Sequence, residues 1–160
     1  MTSKNIFILC LNVFKYQSRV LKEAKTLTKN SYKTDIFAFH EDGFKEFEII
    51  DKINITRLKL KSKKFPKIFV FQLFKYLEFS HHICKKITNY NYLHIHSLMA
   101  LPLAIFIKKF VNKKIKIIYD CHEYETERDN MSYLKKFLFK KIEKIFIKYC
   151  NYTITVSKSI

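Results

Sequence analysis

Short apolar runs alternate along the chain with longer segments in which apolar residues recur every three or four positions. The short runs are typical of strands covered on both faces, and the longer segments are typical of amphipathic helices. Strands are therefore predicted at residues 6–11, 34–39, 53–60, 92–96, 117–120 and 152–156. Helices are predicted at residues 19–29, 66–88, 98–111 and 132–149.

Two of the connecting segments are predicted to lack regular structure. Residues 40–52 are acidic and hold Gly43, and residues 121–130 are polar and acidic. At the helix ends, Ser18 can cap the first helix, and Pro66 fits the first turn of the second. These local signals support the predicted order of elements.

The second and fourth predicted helices differ in the placement of their apolar residues. The second helix, 66–88, is apolar on several sides, so we expect it to be largely buried. The fourth helix, 132–149, has one apolar stripe and an opposite face rich in lysine. The stripe consists of Leu134, Phe137, Leu138, Ile142, Ile145 and Phe146.

The alternation of strands and helices predicts an α/β fold. We expect a Rossmann-like, doubly wound parallel sheet with helices on both faces, beginning with a right-handed βαβ unit. The 160 residues suffice for one domain with a real core. Residues 157–160 resemble the start of a further helix, so we expect the sequence to be one half of a larger protein.

The formal net charge of +17 indicates an anionic partner, such as a membrane surface or an anionic polymer. Lysine, asparagine, isoleucine, phenylalanine and tyrosine all have AT-rich codons, so codon usage explains part of the lysine excess. Nucleic acid is not predicted as a partner, because the aromatic residues lie in apolar runs rather than on a basic platform.

Several classes of protein are disfavoured by composition. With Gly43 as the single glycine, the chain has neither a P-loop nor the glycine-rich turn of nucleotide-dependent oxidoreductases. The four cysteines form no Cys-x-x-Cys pair, which argues against zinc ribbons and for a reduced compartment. The run 6–11 is too short for a signal peptide, and no run reaches the ~20 residues that span a bilayer. We expect a cytoplasmic protein.

A cluster of ionisable residues follows the predicted strand 117–120. Asp120 ends the apolar run, and His122 and Glu123 come directly after it. In doubly wound sheets, ligands bind outside the carboxyl ends of the strands. His122 can donate or accept a proton near neutral pH. The sequence therefore predicts a small-molecule site here.

A second strand, 92–96, carries histidine at alternating positions. His94 and His96 share one face of the strand, because side chains alternate with a period of two. This pair can chelate zinc, but the sequence offers no obvious third ligand, so no metal site is predicted. We expect His94 to be buried against a helix and His96, nearer the strand end, to be functional.

Four segments, in this order, resemble the N-terminal domain of family 4 glycosyltransferases, which have the GT-B fold. Each segment is short, but together they cover nearly the whole chain. The segments are Ser18-Arg19-Val20-Leu21-Lys22-Glu23-Ala24-Lys25-Thr26-Leu27, Tyr92-Leu93-His94-Ile95-His96-Ser97-Leu98 with Leu101-Pro102, Tyr119-Asp120-Cys121-His122-Glu123 with Glu127, and Thr153-Ile154-Thr155-Val156-Ser157 with the preceding Glu143.

The resemblance implies transfer of a sugar from a nucleotide-sugar to an acceptor, with retained anomeric configuration and without a metal. It implies that His122 approaches the donor sugar. The residues expected to bind substrate are His96, Asp120, Glu123, Asn12 and Arg19. No cofactor is expected besides the nucleotide-sugar, which is a co-substrate.

The resemblance also implies a division of labour between two domains. Residues 1–160 would be the N-terminal, acceptor-side half, and a C-terminal nucleotide-sugar domain is absent, so we expect the chain alone to be inactive. The expected acceptor is a glycan or a lipid-linked molecule, used in cell-surface polysaccharide or glycolipid synthesis. We expect peripheral association with the inner face of the membrane.

A second hypothesis stays open from the residues alone. The chain can be a non-catalytic, basic, Rossmann-like module that binds an anionic membrane surface or polymer. The lysine-rich helix 132–149 is its candidate contact surface, and the same lysines equally suit the solvent-exposed face of a packed helix.

Overall fold

A computed structural model of the chain describes residues 4–15, 18–66, 68–121 and 133–155. The strands in these ranges are β1 (Asn5–Leu9), β2 (Lys33–Phe39), β3 (Phe47–Ile50), β4 (Ile53–Leu58), β5 (Tyr92–Ile95), β6 (Lys116–Cys121) and β7 (Tyr152–Thr155). The helices are α1 (Ser18–Lys29), α2 (Phe69–Lys86), α3 (Leu101–Phe106) and α4 (Tyr133–Phe146). Shorter turns of 3-10 or π helix flank these helices at Lys61–Lys64, Ile87–Asn89, Leu98–Ala100, Ile107–Val111 and Ile147–Tyr149.

The described strands form one sheet in the order β3-β4-β2-β1-β5-β6-β7. All neighbours pair in parallel except β3 and β4. The chain runs outwards from β1 to β2 and β4, and then returns to β5 on the other side of β1. This reversal places the topological switch point, where doubly wound folds bind ligands, between the carboxyl ends of β1 and β5. The predicted Rossmann-like α/β class is confirmed.

Helices cover both faces of the sheet, and two apolar cores result. On one face, Val20 and Ala24 of α1 pack with Ile8 and other apolar residues of β1, β2 and β4. On the opposite face, α2 and α3 bury residues such as Phe79 and Ala104 in the larger core, and α4 packs against its edge. Because side chains along a strand alternate between the two faces of the sheet, one strand contributes residues to both cores.

One strand was not predicted. Residues 40–52 were expected to be irregular, but Phe47–Ile50 forms β3, an antiparallel edge strand that pairs with β4. The turn consists of Asp51 and Lys52, whose φ angles are 50° and 65°. Positive φ at both positions is the pattern of a type I′ hairpin, which usually carries asparagine or glycine. The turn was missed because neither residue signals it.

The prediction that the second helix is largely buried is wrong. Phe79 and Ile83 are buried, but the side chains of an apolar stripe on the outer face of α2 are each at least half exposed. The stripe, called here the α2 stripe, consists of Val70, Leu73, Phe74 and Leu77. The helix also begins at Phe69, after Pro66 rather than on it. Within the described ranges, no helix is long and apolar enough to cross a membrane.

The predicted apolar stripe of the last helix is only partly correct. Ile142 and Phe146 pack against the larger core as expected, together with Phe139. Phe137, Leu138 and Ile145 were also predicted to face the core but are about half exposed. The helix therefore contacts the domain along a narrower line than its sequence predicts, because it lies over the edge of the sheet.

A buried arginine joins the hairpin to the loop after β1. The guanidinium of Arg57, on β4, pairs with the Glu48 carboxylate of β3 at 2.6 Å. It also donates hydrogen bonds to the backbone oxygens of Phe14 (2.9 Å) and Lys45 (3.0 Å). Arg57 is thus the polar centre of a region in which Phe14 and Ile55 are fully buried.

Candidate functional site

Five side chains converge where the switch point lies. Arg19 and Glu23 come from α1, His94 and His96 come from β5 and the residue after it, and Asp120 comes from β6. This group is called here the switch-point cluster. It assembles because α1 follows β1 and crosses the face of the sheet on which β5 presents its histidines.

Asp120 is the centre of the cluster, and its side chain is 0% exposed. Its Oδ1 accepts a hydrogen bond from Arg19 Nη2 at 3.0 Å, and its Oδ2 accepts one from Arg19 Nε at 3.1 Å. Oδ2 also lies 3.3 Å from His96 Nδ1. The bidentate ion pair fixes the guanidinium plane, and the contact to Nδ1 orients the imidazole ring.

Glu23 closes the cluster from the side of α1. Its Oε1 accepts from Arg19 Nε at 3.1 Å, four residues earlier on the helix. Its Oε2 lies 3.6 Å from His96 Nε2 and 4.0 Å from His94 Nε2. Burial raises the pKa of the Glu23 carboxyl, and the charge of Asp120 adds to this, while His96 and Arg19 oppose it.

His94 is the most enclosed imidazole of the cluster. It is 4% exposed, and its ring lies 4.3 Å from that of His96, with a tilt of 35°. Burial lowers the pKa of His94 to about 3, with His96 and Arg19 contributing and Asp120 opposing. At neutral pH the ring is therefore uncharged, with one nitrogen able to accept a hydrogen bond or a metal ion.

The structure unites three of the predicted site residues: Arg19, His96 and Asp120. Asn12 lies apart in the loop after β1, exposed, with its backbone oxygen accepting from Phe39 N at 3.0 Å. The other two predicted site residues, His122 and Glu123, lie outside the described residues.

Two members of the cluster were not predicted as site residues, Glu23 and His94. The spacing of Arg19 and Glu23 was a usable signal, because residues four apart share one face of a helix. Nothing local shows that this face meets β5, since about seventy positions separate Glu23 from His94 in the chain. The expectation that His94 is buried against a helix is confirmed.

An apolar pocket of about 540 Å³ opens on the α2 side of the sheet, the face opposite to that of the cluster. It lies at the carboxyl ends of β1, β2 and β4, and Ser97, the neighbour of His96, lines it. Its apolar lining consists of Leu11, Val13, Phe39, Leu58, Leu60 and Met99. Lys63 and Lys75 supply positive charge. This pocket is called here the strand-end pocket.

A second pocket, of about 580 Å³, adjoins the first and shares His40, Leu60 and Lys63 with it. It is called here the lysine pocket. Its charged lining consists of Lys59, Lys61, Lys63 and Lys64 together with Asp42, whose Oδ2 lies 3.7 Å from Lys63 Nζ. Together the two pockets suit a ligand with an apolar part and an anionic group, because apolar burial and charge pairing are both available.

The comparisons with known proteins identify the family. The family model described as Glycosyltransferase Family 4 matches residues 17–160. The chain belongs to this family. Curated protein sequences give no significant match to it.

Solved structures of glycosyltransferases share the fold of this family 4 domain. A structure of sucrose-phosphate synthase from Thermosynechococcus elongatus aligns with a TM-score of 0.67 at 13% identity, over 98% of this chain and 78% of that one. A second structure of that enzyme gives 0.63 at 12% identity, over 95% and 47%. The catalytic domain of starch synthase IV from Arabidopsis thaliana, bound to ADP and acarbose, gives 0.57 at 11%, over 78% and 35%. The chain thus spans less than half of the latter two.

The 3-10 turn Lys61–Lys64, called here the lysine turn, is held by one carboxylate. Glu78 of α2 accepts hydrogen bonds from the backbone nitrogens of Lys61 (2.7 Å) and Ser62 (2.9 Å), and from the Ser62 hydroxyl (2.5 Å). Burial raises the pKa of Glu78, but the hydrogen bonds from Ser62 and Lys61 outweigh it, so the net shift is downward. Glu78 thereby positions the turn that both pockets share.

Replacing Glu78 with Gln is expected to lower the free energy of unfolding at pH 7 by about 1 kcal/mol, since an amide accepts these bonds more weakly than a carboxylate. The folded pKa lies below the ordinary value of 4.5. The contribution is therefore complete above that value and is lost as the pH falls through the folded pKa. Urea unfolding of wild type and variant should converge at acid pH. Glu46→Gln, at an exposed ion pair, should change little at any pH, and equal effects of the two variants would contradict the prediction.

Proposed function

We propose that this family 4 domain forms the acceptor side of a glycosyltransferase whose acceptor is a lipid-linked molecule carrying an anionic group. The observation that carries the proposal is the pair of adjoining pockets at the strand ends. The strand-end pocket offers apolar side chains, and the lysine pocket offers four cationic ones. A free glycan would leave the apolar walls unused, because sugars are bound chiefly through hydrogen bonds.

The position of the pockets supports an acceptor role. Ser97 lines the strand-end pocket and directly follows His96, so the pocket and the switch-point cluster both lie at the carboxyl end of β5, on opposite faces of the sheet. The strand ends are where this class of sheet binds its ligands. We infer that the acceptor hydroxyl points towards the cluster and the lipid points away from it.

The switch-point cluster supports a role in placing substrate groups. Asp120 is fully enclosed, so it would act through Arg19 and His96 rather than by touching a substrate. Arg19 is 39% exposed and can present its guanidinium to an anionic group such as a diphosphate. We propose that His122 contacts the donor sugar and that Glu123 and Asn12 complete the substrate site.

The donor side is proposed to lie outside these residues. The chain covers 47% and 35% of two structural neighbours, one of which is bound to the nucleotide ADP. We propose that a second domain holds the nucleotide-sugar and that residues 1–160 alone transfer no sugar. The proposed transfer retains the anomeric configuration and uses no metal or other cofactor, with polysaccharide or glycolipid synthesis at the cell surface as its setting.

Membrane association is proposed as part of the same function. The α2 stripe lies on the helix whose Lys75 and Tyr76 line the strand-end pocket, and the lysine turn precedes that helix. Apolar side chains beside lysines suit an anionic bilayer surface. We therefore propose that the membrane contact lies on α2, rather than on the basic helix 132–149 that the sequence indicated.

The acceptor proposal is tested by calorimetric titration of the chain with decyl phosphate and with decyl glucoside, which share a tail and differ in charge. We expect saturable binding of decyl phosphate, at least tenfold tighter than that of decyl glucoside. Lys63→Glu, in the wall common to both pockets, should weaken decyl phosphate binding at least tenfold, or about 1.4 kcal/mol. Lys22→Glu makes the same charge change on exposed α1 and should have no effect.

Two results would count against the proposal. Equal affinity for the two amphiphiles would contradict the proposal that the acceptor is anionic. An equal loss of decyl phosphate affinity in Lys63→Glu and Lys22→Glu would show that the effect depends only on the net charge of the chain. The non-catalytic membrane module is the second candidate, favoured by the α2 stripe. It would stand if anionic vesicles bind the chain in a salt-sensitive manner while Lys63→Glu leaves decyl phosphate binding unchanged.

A further inference from the structure

The switch-point cluster has the geometry of a metal site as well as that of an ion-pair network. His94 Nε2 and His96 Nε2 both approach one atom, Glu23 Oε2, at 4.0 Å and 3.6 Å. Ligand atoms of these three residues and of Asp120 all lie within 4.8 Å of one another. Around a tetrahedral zinc ion with bonds of ~2.0–2.1 Å, ligand atoms are ~3.4 Å apart. The two distances to Glu23 Oε2, 3.6 Å and 4.0 Å, are within a few tenths of an ångström of that ~3.4 Å value.

His94 provides an independent reason to expect a ligand. Its side chain is buried, and neither ring nitrogen has a hydrogen-bond partner among the residues that the structure describes. Buried polar atoms without partners are uncommon in folded proteins, and each costs free energy. Because His94 Nε2 lies 4.0 Å from Glu23 Oε2, a cation between them would give this imidazole a partner that the described residues do not supply.

The neighbours of the three donors are arranged as outer partners of a metal. Asp120 Oδ2 lies 3.3 Å from His96 Nδ1, so a proton held between them leaves Nε2 as the coordinating atom. Arg19 donates to Glu23 Oε1 and leaves Oε2 on the histidine side. Carboxylate–histidine–metal arrangements of this kind fix the tautomer and the orientation of the ring.

We propose that Glu23, His94 and His96 bind one divalent transition-metal ion of the zinc class, with Asp120 orienting His96. Two imidazole nitrogens and one carboxylate oxygen favour zinc or cobalt over magnesium or calcium, which prefer oxygen ligands alone. The ion ties α1 to β5 and takes no part in the proposed sugar transfer. The sequence predicted no metal site because it shows no third ligand near the histidines, and the fold supplies Glu23 from another element.

The test uses the 160-residue chain, stripped with a chelator and dialysed, with zinc alone as the probe. We expect calorimetry to show one zinc ion per chain, no comparable magnesium binding, and a melting temperature that rises with zinc concentration. Glu23→Gln keeps the size of the ligand but removes its charge, and it should weaken zinc binding at least tenfold. His81→Ala, at an exposed histidine of α2, is the matched control and should bind zinc as wild type does.

Cobalt substitution keeps the test decisive even if a variant fails to fold. Bound cobalt in the wild-type chain should show the intense visible bands of a four-coordinate nitrogen and oxygen site, without thiolate charge transfer. A thiolate band would assign the ion to cysteines and overturn the proposal. Failure of zinc to bind at one ion per chain, or binding that survives Glu23→Gln unchanged, would overturn it as well. None of these measurements depends on sugar transfer.

Discussion

Replacing Arg57 with Met should lower the free energy of unfolding by about 3–5 kcal/mol, the cost of breaking a buried ion pair by removing one partner. The Arg57 side chain is 0% exposed and pairs with Glu48, which is 16% exposed. Methionine fills much of the volume but leaves the Glu48 carboxylate without this cation. It also removes the hydrogen bonds to the backbone oxygens of Phe14 and Lys45. Equilibrium urea unfolding followed by circular dichroism measures the loss.

The neighbouring hairpin lysine supplies the matched control. Lys59 pairs with Glu46, but both side chains are at least 60% exposed, so Lys59→Met should cost no more than about 0.5 kcal/mol. A double variant that also replaces Glu48 with Gln should recover part of the loss, because it removes the carboxylate that has lost its arginine partner. Arg57→Met within 1 kcal/mol of wild type would contradict the interpretation of Arg57 as the polar centre of this region.

Replacing Asp120 with Asn should affect both stability and the proposed activity. The amide keeps the shape of the side chain but removes the charge that pairs with Arg19 and orients His96. We expect the free energy of unfolding to fall by about 2 kcal/mol, less than for Arg57 because Arg19 is partly exposed and regains water. In the intact transferase, kcat/KM should fall at least 100-fold, or about 2.7 kcal/mol of transition-state stabilisation.

Asp51→Asn is the matched control for this substitution. Asp51 is 59% exposed, pairs only with an exposed lysine among its described contacts, and has a positive φ that asparagine tolerates. It should leave unfolding and transfer unchanged. A purely structural Asp120 would lower the amount of folded protein without changing kcat/KM per folded molecule. A value for Asp120→Asn within threefold of wild type, measured on folded protein, would therefore contradict the positioning role.

The sequence predicted the fold well where local patterns were strong. The strand 92–96 and the helix 19–29 lie within two residues of β5 and α1, because continuous apolar runs and i, i+3, i+4 spacing are properties of short segments. The hairpin at β3 was missed because Asp51 and Lys52 adopt positive φ without the usual turn residues. That conformation is imposed by pairing with β4, which no local signal encodes.

The residues of the candidate site were likewise predicted where local patterns were strong and missed where they were not. His96 and Asp120 were predicted because each ends an apolar run, and a strand end in an α/β fold is a probable site on local grounds. Glu23 was not predicted, because most glutamates on helices are solvent-exposed and nothing in the neighbouring sequence distinguishes this one. Glu23 is a site residue because α1 crosses the sheet, which leaves Glu23 Oε2 3.6 Å from His96 Nε2.

By itself the sequence determined the order of the strands and helices other than β3, the α/β class, the family resemblance and the strand ends that carry ionisable side chains. Only the tertiary structure decided which charges pair, which apolar stripe stays exposed on α2, and which pockets open at the strand ends. The physical reason is that periodicity acts over a few residues, whereas ion pairs and pockets depend on elements far apart in the chain. Arg19 and Asp120, separated by 101 positions, meet through the winding of the sheet.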